Sequence, residues 1–188
     1  VGEDVPGFTA ADSVFGFGWR SVGIVARRRC VFRNNVFVRA MTGMFTIIGG
    51  TRPDSLYLRN NIVQSLLLAK QGNLLWNMPK ALDSDYNCFV WDPENKARVV
   101  CYEGEYRESR KLSGLAEWQK AFGQDAHSIE AEPGYPLSKL AGFGLKGVFD
   151  RQRAIKIEDL ILPPDSPCRG RGENGENIGP RWESYLER

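Results

Sequence analysis

Apolar and polar residues alternate in short runs along this chain, and three of those runs share one frame. Residues 30–38 read CVFRNNVFV, residues 56–64 read LYLRNNIVQ, and a more degenerate copy at 82–90 reads LDSDYNCFV. Their asparagines, Asn35, Asn61 and Asn87, are spaced 26 residues apart. In the same register Cys30, Leu56 and Leu82 align, as do Val36, Ile62 and Cys88, and Phe37, Val63 and Phe89. Period-two alternation in segments rich in Val, Ile, Phe and Tyr predicts strands and excludes a single long helix. Further strand candidates lie between the blocks at 22–26, 44–48 and 73–76, bounded by turn residues at 42–43, 49–54 and 71–73. Strands this short cannot bury an apolar face alone, so neighbouring repeats must stack. About three strands per repeat describes an all-β parallel β-helix. The asparagine just after each second strand then fits a corner where its amide bonds the equivalent amide one coil along, as a ladder. Asparagine is common in turns, but three at equal spacing inside matched apolar frames are not coincidence.

After Cys101 the pattern changes. Residues 113–122 (SGLAEWQKAF) carry helical periodicity through Leu115, Trp118 and Phe122, with Ser113 as N-cap and Gly123 as stop. From 163 to 180 the chain is dense in Pro, Gly and charge, which predicts an extended tail lying over the body. Either feature could cover the last coil, whose strand edges would otherwise pair with another chain. The expected organisation is β-helix coils over 1–104, followed over 105–188 by a helical insert, the last strands and a capping tail of the same domain.

Composition narrows the function classes. The chain has 188 residues and 21.2 kDa, which suits one domain. With 42% hydrophobic and 26% charged residues it is not a disordered chain. Twenty-five Lys and Arg against 23 Asp and Glu leave a net charge of +2, without the basic surplus expected of a nucleic-acid-binding domain. The longest apolar stretches, such as 44–48 and 65–69, are far too short to cross a bilayer. Residue 1 is Val and no signal-like segment follows, so the chain is expected to be a processed product or a piece of something longer. The four cysteines, Cys30, Cys88, Cys101 and Cys168, form no C-x-x-C pair and do not match a zinc module. Cys30 and Cys88 sit in strand-like runs where a buried thiol packs well, and the even count also permits disulfides. Both readings stand open.

Four segments taken together resemble a known group: DSDYNCF at 83–89, LAEWQKAFGQDAHSIEAEP at 115–133, PDSP at 164–167 and GENIGP at 175–180. They resemble the C-terminal end of right-handed parallel β-helix proteins of the pectate-lyase-like superfamily, over about residues 30 to 183. The resemblance implies a secreted, extracellular or periplasmic, carbohydrate-active enzyme, a glycoside hydrolase or polysaccharide lyase acting on a polysaccharide. The alternative within the same fold is a non-catalytic glycan-binding or structural surface module, since a shared fold does not fix activity. With only about three clear coils, the resemblance also implies that an N-terminal part, with much of any substrate groove, lies elsewhere in the same protein or in another subunit. The tail departs from the group's pattern at SPCRGRG (166–172), where members often carry a small apolar segment.

In such proteins the first strand of each coil and the turn after it line the cleft, as the resemblance implies. That maps 49–54 and 77–80 onto neighbouring turns, with Arg52 and Asp54 to bind or protonate a sugar, Trp76 to stack on it, and Lys80 beside it. Each has a plainer reading: Asp54 begins a turn, Arg52 is a solvated loop charge, and Trp76 is core. A lyase base could come from Lys70, Lys80, Arg39 or the run Arg27–Arg29, the last of which more simply reads as a solvated turn. Asp83 and Asp85 stand about 7 Å apart on one strand face, within the separation glycosidases use. Yet Asp85 aligns with Arg33 and Arg59, and a stacked Arg59–Asp85 pair explains it without catalysis. His127, the one histidine, is read as structural. No calcium-loop spacing, Ser/His/Asp set, P-loop or dinucleotide fingerprint occurs. No catalytic residue, metal or cofactor is assigned, and the expected partner is a polysaccharide rather than nucleic acid or membrane.

Overall fold

The computed structural model describes residues 7–16, 22–24, 28–38, 45–47, 54–64, 75–76, 81–90, 99–102, 109–112, 114–135 and 157–186. Its strands are β1 (Phe8–Ala11), β2 (Val14–Gly16), β3 (Val22–Ile24), β4 (Arg29–Arg33), β5 (Val36–Val38), β6 (Phe45–Ile47) and β7 (Ser55–Arg59). Then follow β8 (Ile62–Gln64), β9 (Leu75–Trp76), β10 (Ala81–Asp85), β11 (Cys88–Val90), β12 (Val99–Tyr102), β13 (Ser109–Leu112) and β14 (Ile129–Glu130). They form three sheets ordered β1-β4-β7-β10, β2-β5-β8-β11-β14 and β3-β6-β9-β12-β13. Nearly every strand pairs in parallel with the strand three places on in sequence; the exception is β13, antiparallel to β12. The chain is thus mostly strands in parallel sheets with little helix.

Register follows the sequence repeat. Cys30 lies opposite Leu56 and Leu56 opposite Leu82; Val36, Ile62 and Cys88 form a second column and Phe37, Val63 and Phe89 a third. In β4 and β7 burial alternates, with Cys30, Phe32, Leu56 and Leu58 inside. In the second sheet both columns are buried, as expected for parallel strands covered on both faces. Phe37 meets Phe32 edge-on, ring centroids 5.8 Å apart. Val36, Ile62 and Cys88 pack on the opposite side against Tyr135, Leu160, Leu162, Cys168 and Ile178.

Each nine-residue block is not one strand but two, joined by a two-residue corner. Its first residue is left-handed: Asp12 (φ 48°), Asn34 (56°), Asn60 (54°) and Tyr86 (55°). Asn and Asp tolerate that conformation because their short polar side chains bond locally; Tyr86 is the departure. The second corner residue supplies the ladder, which therefore sits inside each block between a first-sheet and a second-sheet strand. The backbone N–H of Asn35 donates to Asn61 Oδ1 (3.1 Å) and that of Asn61 to Asn87 Oδ1 (2.9 Å). Serines end the ladder at both sides: Ser13 N–H donates to Asn35 Oδ1 (3.0 Å), and Asn87 N–H to Ser128 Oγ (2.7 Å). Each Nδ2 also donates to a backbone carbonyl, of Ala10, Phe32 and Leu58 in turn. All three amides are at most 1% exposed, so the ladder satisfies groups that would otherwise be stranded away from water.

The helix α1 (Leu115–Phe122) buries Leu115 and Trp118. Its N-cap is Gly114, not Ser113, which lies outside the described residues. The Leu115 N–H donates to the Glu130 carboxylate, doing the work of a cap side chain. Gly114 has a φ of +148°, a backbone conformation that side-chain-bearing residues rarely adopt, and a Cβ there would also push on Glu130 Oε1 at 2.9 Å. Gly123 ends the helix left-handed, as read from the sequence. The turn after α1 covers the free edge of β10: Ser84 N–H donates to Gln124 Oε1 (2.8 Å) and Ser84 accepts from Asp125 N–H (2.7 Å). Asp125, 1% exposed, ties this turn together, accepting from Trp118 Nε1 (2.7 Å), Asn87 Nδ2 (3.0 Å) and Ser128 Oγ (2.6 Å).

The tail lies over the body. Rather than closing the last repeat, residues 157–186 form a strap along the flank of the second sheet, crossing from β11 back to β1. Cys168 and Ile178 cover the outer column; Gly179 N–H donates to Asn60 O (2.7 Å) and Asn34 Nδ2 to Gly179 O (3.1 Å). Arg181 then pairs with Asp12 (2.8 Å), and Trp182 Nε1 donates to Asp12 O (3.0 Å). A short helix, α2 (Glu183–Leu186), follows, and Glu183 holds Arg169 at 2.6 Å. Among the described residues no helix is long and apolar enough to cross a membrane.

Candidate functional site

Period-two alternation turns one residue in two of the first sheet outward, and register stacks these into columns. Arg29, Ser55 and Ala81 form one, Val31, Tyr57 and Asp83 the next, and Arg33, Arg59 and Asp85 the third. Tyr57 lies between two guanidinium groups, that of Arg29 at 5.3 Å and that of Arg59 at 4.7 Å from the ring centroid. Such cation–π contacts hold long side chains in fixed positions on an open sheet. Arg59 also pairs with Asp83 and lies 3.6 Å from Glu173 of the strap, while Arg33 reaches Glu173 at 3.2 Å and Glu176 at 3.8 Å. Arg29 is exposed and has no ion-pair partner among the described residues.

The expected Arg59–Asp85 pair does not form, although the two residues are in register. Arg59 reaches the carboxylate of Asp83 instead, because Asp85 is taken by the capping turn. Asp85 Oδ1 accepts from the N–H groups of His127 (2.7 Å) and Tyr86 (2.9 Å), and Oδ2 meets His127 Nδ1 at 2.7 Å. Burial pulls the Asp85 pKa up, but these three hydrogen bonds and the His127 charge more than offset it and hold the carboxyl below its ordinary value. The imidazole stacks on Tyr86, centroids 4.7 Å apart and planes within 6°, and its side chain stays 62% exposed. The Asp83–Asp85 pair is therefore divided between Arg59 and His127 and is not a pair of carboxyls facing a shared water.

Of the residues singled out for the cleft, Asp54 is exposed at the bend before β7, and its carbonyl accepts from Ala81 N–H (3.0 Å). Trp76 ends β9 in the third sheet beside Thr46; its side chain, and all of Arg52 and Lys80, lie outside the described residues, as do Arg27, Arg39 and Lys70. The basic run is not simply a solvated turn, since Arg29 belongs to β4 and lies over Tyr57. Cys30, Cys88 and Cys168 are buried free thiols, and no three His, Cys, Asp or Glu side chains among the described residues gather as a metal site. The residues not anticipated are Arg29 with Tyr57, and His127 with Asp85. The first pair was legible only once the repeat register was extended outward from the apolar columns. The second joins residues 42 positions apart and left no periodic trace. Comparison with known proteins finds no matching family model, no matching curated protein and no matching solved structure.

Proposed function

We propose that this chain is a stretch of right-handed parallel β-helix, of the pectate-lyase-like kind, whose first-sheet outer face binds an acidic glycan in an extracellular or periplasmic setting. The stride of three strands, the parallel pairing and the asparagine ladder support the β-helix. One observation carries the binding reading: the guanidinium of Arg29, exposed and held over Tyr57 on a sheet face. A sugar carboxylate fits that guanidinium, and Asp83, two strands along, accepts hydroxyl donors. Binding without cleavage is favoured because Asp83 is paired with Arg59 and Asp85 is held by the turn after α1.

A second reading, a glycoside hydrolase or polysaccharide lyase, draws on the His127–Asp85 contact. A carboxylate on Nδ1 orients the ring and turns Nε2 to solvent, the posture of a general acid or base. On that reading a further coil completes the groove. β1, β2 and β3 are outermost in their sheets at one end, where Phe8, in the inward column with Cys30, is 47% exposed. The upstream part of the same protein or another subunit would supply that coil.

Titration of the protein with uronate oligosaccharides and with neutral ones of equal length tests the binding. The expected result is preference for the acidic series, weakened about tenfold by Arg29→Ala, about 1.4 kcal/mol, and by added salt. Equal affinity for both series, or none for either, overturns the reading. Release of reducing ends or unsaturated products, lost in His127→Ala, transfers the assignment to the enzyme.

A further inference from the structure

Cys88 and Cys168 are drawn together by two different parts of the fold. Cys88 belongs to β11, in the outward column with Val36 and Ile62, where its thiol contacts that of Cys168 and donates to Ala131 O at 3.2 Å. Cys168 lies in the strap, its position set by its own N–H on Ser166 Oγ (3.2 Å) and by Ile178 N–H on its carbonyl (2.8 Å). Ser166 in turn donates to Pro133 O at 2.7 Å. Both thiols are fully buried in one apolar cluster. Cys30 belongs to the inward column of the first sheet, opposite Leu56.

We propose that Cys88 and Cys168 are a disulfide-forming pair that locks the C-terminal strap onto the second sheet. The two thiols give up two electrons and two protons to a small disulfide oxidant such as oxidised glutathione. One S–S bond forms in the protein, and the oxidant's S–S bond breaks to leave two thiols. The bond would close a loop between residues 80 apart, the long-loop case in which a cross-link most restricts the unfolded chain. The neighbouring Cys168 thiol and burial both push the Cys88 thiol far above its ordinary pKa, so little thiolate is present while the strap is seated. Oxidation therefore belongs to folding, before the strap covers β11, and the finished bond is shielded from reductants.

The full chain is refolded from denaturant in a mixture of oxidised and reduced glutathione, alkylated under denaturing conditions, and mapped by peptide mass spectrometry. The expected map contains a Cys88–Cys168 cross-linked peptide, with Cys30 alkylated, and the oxidised protein unfolds at higher urea than the reduced one. Cys168→Ser loses both the cross-link and the urea difference. Recovery of Cys88 and Cys168 both alkylated, or linkage of either to Cys30 or Cys101, overturns the proposal; the wild-type map decides this even if the variant folds poorly.

Discussion

Replacing Asn61 by Ala removes the middle of the ladder and leaves its surroundings dry. Asn61 Oδ1 accepts from the backbone N–H (3.1 Å) and Nδ2 (3.1 Å) of Asn35, while its own Nδ2 donates to Phe32 O (2.9 Å) and Asn87 Oδ1 (3.1 Å). Two of these partners keep a second bond after truncation: Asn35 Nδ2 still reaches Ala10 O, and Asn87 Oδ1 still accepts Asn61 N–H. The Asn35 N–H is left bare, and Phe32 O loses the amide donor. Stripping a buried polar group costs about 1–3 kcal/mol, and the site is 1% exposed, so the loss is about 3–4 kcal/mol. With an m-value of about 2 kcal/mol/M, the urea midpoint falls by about 1.5–2 M. Asn61→Asp gives no relief, since it restores the acceptor but removes the donor and buries a charge. Far-UV circular dichroism in urea reads all three proteins, with the exposed Thr9→Ala as a control expected within about 0.5 kcal/mol. A cost below about 1 kcal/mol for Asn61→Ala, with an unchanged m-value, would refute the ladder as a source of stability.

Asp125→Ala deprives Trp118, Asn87 and Ser128 of one shared acceptor and is expected to cost about 3 kcal/mol. A lowered urea midpoint and a Trp fluorescence change in the native baseline check it. Gly179→Ala puts a Cβ 2.7 Å from Ile62 Cδ1 at a φ of +111°, so the strap must shift; thermal melts are expected to show a loss of about 1–3 kcal/mol. The Asp85 carboxyl is held below its ordinary value in the folded protein. Its contribution to stability is therefore complete above the unfolded value of about 4 and is lost as pH falls through the lowered one. Asp85→Asn is expected to flatten that acid limb in melts run from about pH 7 down to about pH 2, while wild type keeps it.

The parts of this fold that repeat were legible. Equal spacing of Asn35, Asn61 and Asn87 within matched apolar frames gave the strand columns and the ladder, because each repeat must present the same groups to the next. The ladder's ends were not legible: Ser13 and Ser128 stand 22 and 41 residues from their neighbours and are not asparagines. The split of each block into two strands was hidden too, since left-handed Asn34 and Asn60 interrupt neither composition nor alternation. At the candidate site, Arg33, Arg59 and Asp85 could be aligned, but alignment gives the position of a Cα and not the reach of a side chain. Arg59 is long enough to take Asp83, and the turn after α1 claims Asp85 through contacts that no periodicity records. The strap was legible as an extended, Pro- and Gly-rich segment; its course along the second sheet depends on Ile178 and Cys168 filling the outward column beside Val36, Ile62 and Cys88.

Buried side-chain amides join one repeat to the next, and proton exchange read by NMR reports on them directly. The Nδ2 protons of Asn35, Asn61 and Asn87 are expected to exchange together with the backbone amides of the same residues, at a rate that tracks global unfolding as urea is raised. Exposed Asn174 provides the fast reference within the same spectrum. Exchange of the three ladder amides as fast as that of Asn174 would contradict the stacked ladder and the β-helix proposed from it.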